Sequence, residues 1–174
     1  MRRRGQRGAV YVEFLVAFLP MLIFFECLVQ LAGLFTAKLV VGHAATTAVR
    51  AAAVVVADDP RYYNDQPVGQ ATGDRRDAVL RAAAMPLRTV KSVVDVAITF
   101  PSSAGGNDDK TSYVPGDAIR VRVDATYRCF VPFASRLVCS FLTGRRQLVG
   151  EAGLPYHGAD YAYGSASAVA TGPF

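Results

Sequence analysis

Two histidines, three cysteines and fourteen acidic side chains are the groups from which this 174-residue sequence would have to build a reactive centre. Their spacing assembles none. His43 and His157 stand far apart, whereas a zinc site needs ligands in close pairs and a triad needs a base beside its nucleophile. Gly105-Gly106 runs into Asn107-Asp108-Asp109 instead of a lysine and a hydroxyl residue, so it is no phosphate loop. No nucleophile elbow is present. Asp58-Asp59 and Asp108-Asp109 read as solvated turns, because the alternating ligands of a calcium loop are missing. The expectation is a protein that is not an enzyme and holds neither a metal nor another cofactor.

The acids with most to explain are two glutamates in an apolar stretch. Residues 9–37, AVYVEFLVAFLPMLIFFECLVQLAGLFTA, contain only Glu13, Glu26 and Gln30 as strongly polar groups. A helix crosses the hydrocarbon core with about 20 residues, so this stretch is long enough to span it. Pro20 sits mid-span, where membrane helices tolerate a kink. Arg2, Arg3, Arg4 and Arg7 precede the stretch. Without them the charge balance is 15 basic against 14 acidic, so the net +5 belongs largely to the leader. The body has no basic excess of the kind a nucleic-acid partner requires, and the arginines place the N-terminus in the cytoplasm. A secretory signal peptide and an uncut signal anchor both fit this much. The stretch is long for the first, and its glutamates are unusual there.

The string Arg7-Gly8-Ala9-Val10-Tyr11-Val12-Glu13-Phe14 resembles the processing site of type IV prepilins, in which a short basic leader ends in glycine and Glu is the fifth residue after the cut. The Glu13-Phe14 pair is similar to that of the tight-adherence (Flp) branch, and the long region past the anchor is closer to its TadE-like pseudopilins than to short Flp pilins. Gly116-Asp117, followed by an alternating strand leading to Pro132, resembles TadE-like domains as well. The resemblance implies cutting between Gly8 and Ala9 by a prepilin peptidase. It implies partners among other pilins and pseudopilins, the inner-membrane assembly platform and membrane lipid. It also implies a single-pass protein of the bacterial inner membrane with its domain periplasmic or extracellular, incorporated into a surface pilus or acting in its assembly. Cutting would free an ammonium on Ala9, one helical turn from Glu13. Two unit charges at ~4 Å attract by roughly 4 kcal/mol at an effective dielectric of 20, which gives Glu13 a mate in its own or a neighbouring subunit. The other reading of Glu13 is a solvated headgroup-level acid at a helix N-terminus. Beside the pilin reading stands an uncleaved single-span protein with an extracytoplasmic binding domain.

Glu26 and Gln30 share a helix face, and Gly33 with Ala37 offers the small-residue spacing that admits close helix contact. These four point to a partner helix, or else Glu26 bonds to its own backbone or to Gln30.

The rest of the chain must carry this anchor. The expected class is α+β, with a leader over 1–8, a transmembrane helix over 9–37, its extension over 38–57, a domain over 58–155 and a tail over 156–174. Residues 9–57 make a rod of about 73 Å, although Val54-Val55-Val56 also suits a short strand, and Gly42 loosens the rod. Asp58-Asp59-Pro60 stops it, and 60–73 is loop. Asp74 is read as an N-cap and Asp77 as its capping-box acid, with a helix whose apolar face is Val79, Leu80, Ala83, Ala84 and Leu87, ending near Pro86. Alternation predicts strands over 93–100, with Val94, Val96, Ile98 and Phe100 on one face, and over 117–127, with Ile119, Val121, Val123, Ala125 and Tyr127 together. A third strand is expected over 145–154, and 101–116 reads as a long exposed hairpin loop. Cys129 and Cys139 flank a short apolar segment. They form a disulfide in an oxidising compartment, worth about 2–3 kcal/mol, or remain two buried thiols. Cys27, within the span, cannot join them. Tyr156, Tyr161 and Tyr163 dock on the sheet or on a partner, or belong to a frayed tail.

Overall fold

The structure, a computed structural model, describes residues 6–159. One helix dominates it. α1 (Gln6–Val55) is 50 residues long, about 75 Å at 1.5 Å per residue, and it continues through Pro20. Thr36, Thr46 and Thr47 donate their hydroxyls to carbonyls one turn back, at 2.9, 3.0 and 2.9 Å, so α1 carries them without unpaired polar atoms. From Val10 to Val29 its side chains are exposed, with only Ile23, Glu26 and Cys27 partly covered. This helix is long and apolar enough to cross a membrane. From Gln30 onward one stripe is buried: Ala37, Val41, Ala44, Ala45, Ala48, Val49 and Ala52, continued by Val56 just past the helix end. The spacing is that of one helix face. Val54-Val55 finishes the helix, which settles the strand alternative at that point.

The remaining chain folds onto that stripe as a small α+β domain. α2 (Gly73–Leu87) lays Val79, Ala83 and Leu87 on it. A three-stranded antiparallel sheet in the order β1-β2-β3 lies beside α2, with β1 (Val93–Thr99), β2 (Ala118–Arg128) and β3 (Arg145–Pro155). β2 is central and presents Ile119, Val121, Val123, Ala125 and Tyr127 to the core, as its alternation predicts. A five-residue helix, α3 (Ala134–Val138), sits between the cysteines, where no period is long enough to be read from the residues. The core runs along α1 in two lobes. Phe100, Tyr113, Ile119 and Tyr156 pack near Val49 and Val56, and Leu87, Val123, Tyr127 and Leu148 pack near Ala37 and Val41.

Several expectations need correction. The β1 face is not Val94, Val96, Ile98 and Phe100. A bulge places Asp95 and Val96 opposite Ala125, with Asp95 at φ 50°. The extra residue reverses the alternation, so Val93 joins Ile98 on the core side and Val96 is exposed. Asp74 is not the N-cap of α2. Thr72 holds that position without a side-chain bond, and Asp74 accepts from the Asn64 amide at 2.8 Å. The 101–116 loop is not wholly exposed, because Tyr113 is buried and its N–H bonds to the Gly69 carbonyl at 2.7 Å.

α1 lacks a basic residue in its last turn. Arg75 of α2 supplies one. Its buried guanidinium donates to the Val55 carbonyl, to Asp58 O at 2.9 Å and to Gln66 O at 3.1 Å, and lies 4.5 Å from the Tyr63 ring centroid. The carbonyls left over at a helix C-terminus thus receive a cation.

The sheet approaches α1 most closely at Gly150. A β-carbon there would lie 2.6 Å from the Val41 carbonyl oxygen, whereas one at Gly42 meets nothing within 4 Å. Gly150→Ala is therefore expected to destabilise the domain by about 1–3 kcal/mol through overpacking against backbone. Gly42→Ala should stabilise it by about 0.5–1 kcal/mol through helix propensity. Thermal unfolding of both variants in detergent checks the opposite signs.

Candidate functional site

Among the described residues no group of three or more His, Cys, Asp or Glu side chains converges as a metal site would require. His43 is on the exposed side of α1 beside Lys38, Leu39 and Thr46, and His157 lies beside Pro115 and Tyr156. The other site residues expected from the sequence lie on α1 and at its junction with the domain.

Gly8 and Ala9 belong to the first turns of α1. Glu13 is exposed on α1, next to Phe14, whose ring stacks on Phe18 with centroids 5.4 Å apart. Glu26 lies on the same helix face as Gln30, as the spacing predicts, but the two do not bond to each other. Gln30 is fully buried and turned into the chain's own domain. Its Nε2 donates to the Tyr127 hydroxyl at 3.3 Å, and its Oε1 accepts the Val131 N–H at 3.0 Å. Glu26 Oε2 is buried with no hydrogen-bond partner among the described residues. Gly33 and Ala37 also face the domain. A β-carbon at Gly33 would meet the Tyr127 hydroxyl at 2.7 Å and the Phe130 ring at 3.4 Å, and Ala37 is in the core beneath Tyr127. The small-residue spacing thus admits β2 and the turn after it, at the place where the sequence pointed to a second helix.

Cys129 and Cys139 are bonded, and Cys27 is free. The bridge closes the turn that carries α3, and Val131 ties this turn to Gln30. Tyr156 docks on the chain's own core beside Tyr113, with ring centroids 6.3 Å apart. Tyr161 and Tyr163 lie outside the described residues.

The acid pairs do more than face water. Asp59 accepts from the Arg61 N–H, and Asp58 accepts from the Tyr63 hydroxyl. Asp109 pairs with Arg76 at 2.8 Å and accepts the Phe100 N–H. The Ser102 side chain and N–H hold the Asp108 carboxyl below the usual aspartate range. Hydrogen bonds from the Lys110 ammonium, at 2.7 Å, and from the Val114 N–H do the same for Asp117. Asp124 bonds Arg122 and raises its pKa, while Arg122 reaches the carbonyls of Gly105 and Gly106. These contacts strap the 101–117 loop onto the domain. None leaves an open, convergent set of polar groups.

No family model, no curated protein and no solved structure matches the chain.

Two measurements test this geometry. Gln30→Leu leaves the Val131 N–H and the Tyr127 hydroxyl buried and unpaired, and is expected to lower stability by about 1–3 kcal/mol. Tyr127→Phe removes one of the two bonds, so a larger loss for it than for Gln30→Leu would contradict the arrangement. Burial, helped by Asp109, pushes the Tyr113 phenol up to about 12 from its ordinary 10. The raised value means the neutral ring is favoured in the fold. Its contribution is complete below pH 10 and is lost as pH rises through about 12. Tyrosinate absorbance of the wild type minus Tyr113→Phe should show a step near 12. Asp117 has the opposite sign. Its contribution is complete above the ordinary 3.8 and is lost as pH falls through its lower folded value, so Asp117→Asn should flatten the acid limb of the stability profile.

Proposed function

We propose that the chain is a TadE-like pseudopilin or minor pilin, inserted with its N-terminus in the cytoplasm and cut after Gly8 by a prepilin peptidase. It acts in assembly of a tight-adherence type pilus with other pilins and the inner-membrane platform, and its domain caps, primes or decorates the filament. The observation that carries this reading is the continuity of α1. A bare apolar stretch, Val10–Val29, begins two residues after Gly8 and passes without a break into the buried spine of an α+β domain. Twenty residues of helix cover about 30 Å, the thickness of a hydrocarbon core. Glu13 falls within the first turns of that stretch, where a newly freed ammonium on Ala9 gives it an ionic partner.

The spine also argues against release by a signal peptidase. Ala37 and Val41 are fully buried in the core, and a cut in the alanine-rich stretch after His43 would remove both. Apolar burial of that kind is worth roughly 1–3 kcal/mol per side chain. Glu26, with its unpartnered buried oxygen, is the candidate contact for a second helix at the outer end of the span.

Mass measurement of the protein from its native host is expected to give a chain starting at Ala9. A chain starting at Met1 would favour the uncleaved single-span protein with a binding domain, and a start beyond residue 40 would favour a secreted one. Gly8→Val should block processing, and Glu13→Ala should leave membrane insertion intact while abolishing incorporation into filaments. Normal filaments from Glu13→Ala would remove the role given to that carboxylate.

A further inference from the structure

The turn closed by the disulfide is apolar on its outer surface. Phe130, Phe133, Leu137, Phe141 and Leu142 are all exposed, Phe141 at 70% and Leu142 at 91%. Polar side chains usually cover such a turn, and contiguous exposed apolar groups mark a contact surface. Its charge is one-sided as well. Between residues 125 and 150 the sequence has four arginines and no acid; Arg145 pairs with Asp95 of β1 at 3.2 Å, and Arg128, Arg136 and Arg146 are in no ion pair among the described residues. The Arg136 guanidinium lies 5.8 Å from the centroid of the Phe141 ring, so cation and apolar group share one face.

The position of this turn along α1 identifies what covers it. It is seated on Gln30 through Val131 and on Gly33 through Phe130. The first charged residue of α1 after Glu26 is Lys38, eight residues beyond Gln30, or roughly 12 Å along the axis. Phe35 and Leu39 are exposed, and Phe35 lines one hollow with Val138 and Arg146 of the turn. If lipid reaches Phe35, the turn seated at Gln30 lies in the interface. Its backbone is equipped for that. The N–H groups of Cys129, Ser135, Cys139, Ser140 and Gly144 all donate within the segment, at 2.8–3.2 Å, and that of Val131 donates to Gln30. Each donor paired in this way lowers the cost of entering a headgroup layer, where water is left to meet the remaining amides at the tip.

We infer that the disulfide-closed turn at residues 128–146 is a second membrane contact, a wedge that places Phe133, Leu137, Phe141 and Leu142 in the outer-leaflet interface and offers Arg136 and Arg146 to anionic headgroups. With α1 it holds the domain at two points, which fixes the domain's tilt on the bilayer. The inference rests on the proposed anchor but not on processing at Gly8.

The sequence contains no Trp, so one introduced residue reports alone. Phe141→Trp, Leu22→Trp and Val114→Trp, each in the full chain, are reconstituted into vesicles of phosphatidylcholine and phosphatidylglycerol. The acyl chains are brominated at a shallow or a deep position. Leu22→Trp should be quenched most by deep bromines. Phe141→Trp should be quenched at least about twofold more by shallow than by deep bromines, and Leu137→Trp provides a second reporter if that variant misfolds. Val114→Trp, at the far end of the domain, should be unaffected. Emission from Phe141→Trp and Leu137→Trp that ignores bromine while Leu22→Trp responds would overturn the wedge and leave the anchor standing, as expected if another protein chain covers the turn. Failure of Leu22→Trp to respond would overturn the anchor and the wedge together. Removing phosphatidylglycerol, or combining Arg136→Glu with Arg146→Glu, should reduce the shallow quenching, and no change under either would overturn the arginine assignment.

Discussion

The approach of β3 to α1 at Gly150 and Val41 sets the distance at which everything else in the domain must pack. Strand backbone meets helix backbone there with no side chain between them. Such an approach is possible only because the helix stripe consists of alanine, valine and glycine from Gly33 to Val56. Alanines bury little area themselves. The apolar area comes from the other side, where Tyr127, Ile119, Phe100 and Leu148 lie over them, and large groups over small ones fill the space without voids. The helix supplies a smooth bed, and the sheet and α2 supply the bulk. A bulky residue at Gly150 would separate the layers along the whole contact, because the strand and the helix are both stiff.

Two polar residues secure the ends of that bed. At one end Arg75 meets the carbonyls that α1 cannot pair within itself. Among the described residues Arg75 has no ion pair; three carbonyl oxygens and an aromatic face replace water at its terminal nitrogens, while its Nε is buried without a partner. At the other end Gln30 gives one bond to Tyr127 and takes one from Val131. An amide is suited to that position, since it carries a donor and an acceptor and no charge to desolvate. Gln30 marks where the exposed stretch stops and the covered stripe begins. Domain and helix are joined there by direct bonds, with no linker between them.

Much of the architecture was legible in the residues because it is periodic. β2 alternates over its full length, α2 repeats its apolar face every three or four residues, and the apolar character of α1 continues past Gln30 into the covered stripe. What was not legible depended on partners. The bulge at Asp95-Val96 leaves the composition of β1 unchanged and is visible only against Ala125. Asp74 was the better cap by type, yet it is drawn to Asn64 by a loop whose path no local pattern fixes. Gly33 and Ala37 show that something approaches the helix closely, without saying whether it is a foreign helix or the chain's own strand. Gln30 was legible as a polar group in need of a mate, and the mates are 97 and 101 residues away. The paired cysteines were legible because their separation suits a small loop, whereas α3 within it is too short to have a period.

The occupied face of α1 constrains any assembly of the proposed kind. From Gln30 onward the domain covers the face carrying Gln30, Gly33, Ala37 and Val41, so neighbouring helices meet α1 only on its other side, where Phe35 and Leu39 remain open. Before Gln30 nearly the whole circumference is available. Contacts between subunits are therefore free to wrap α1 in its first half and are one-sided in its second. Glu13 stands in the unrestricted half, where a neighbour can approach from any direction. Glu26 stands at the transition, on the face that the domain begins to claim, with one oxygen still unpaired. Because α1 is unbroken and bonded to the sheet at Gln30, its first half and the domain are joined through continuous helix, with Pro20 the one residue in that half that cannot make the helical hydrogen bond.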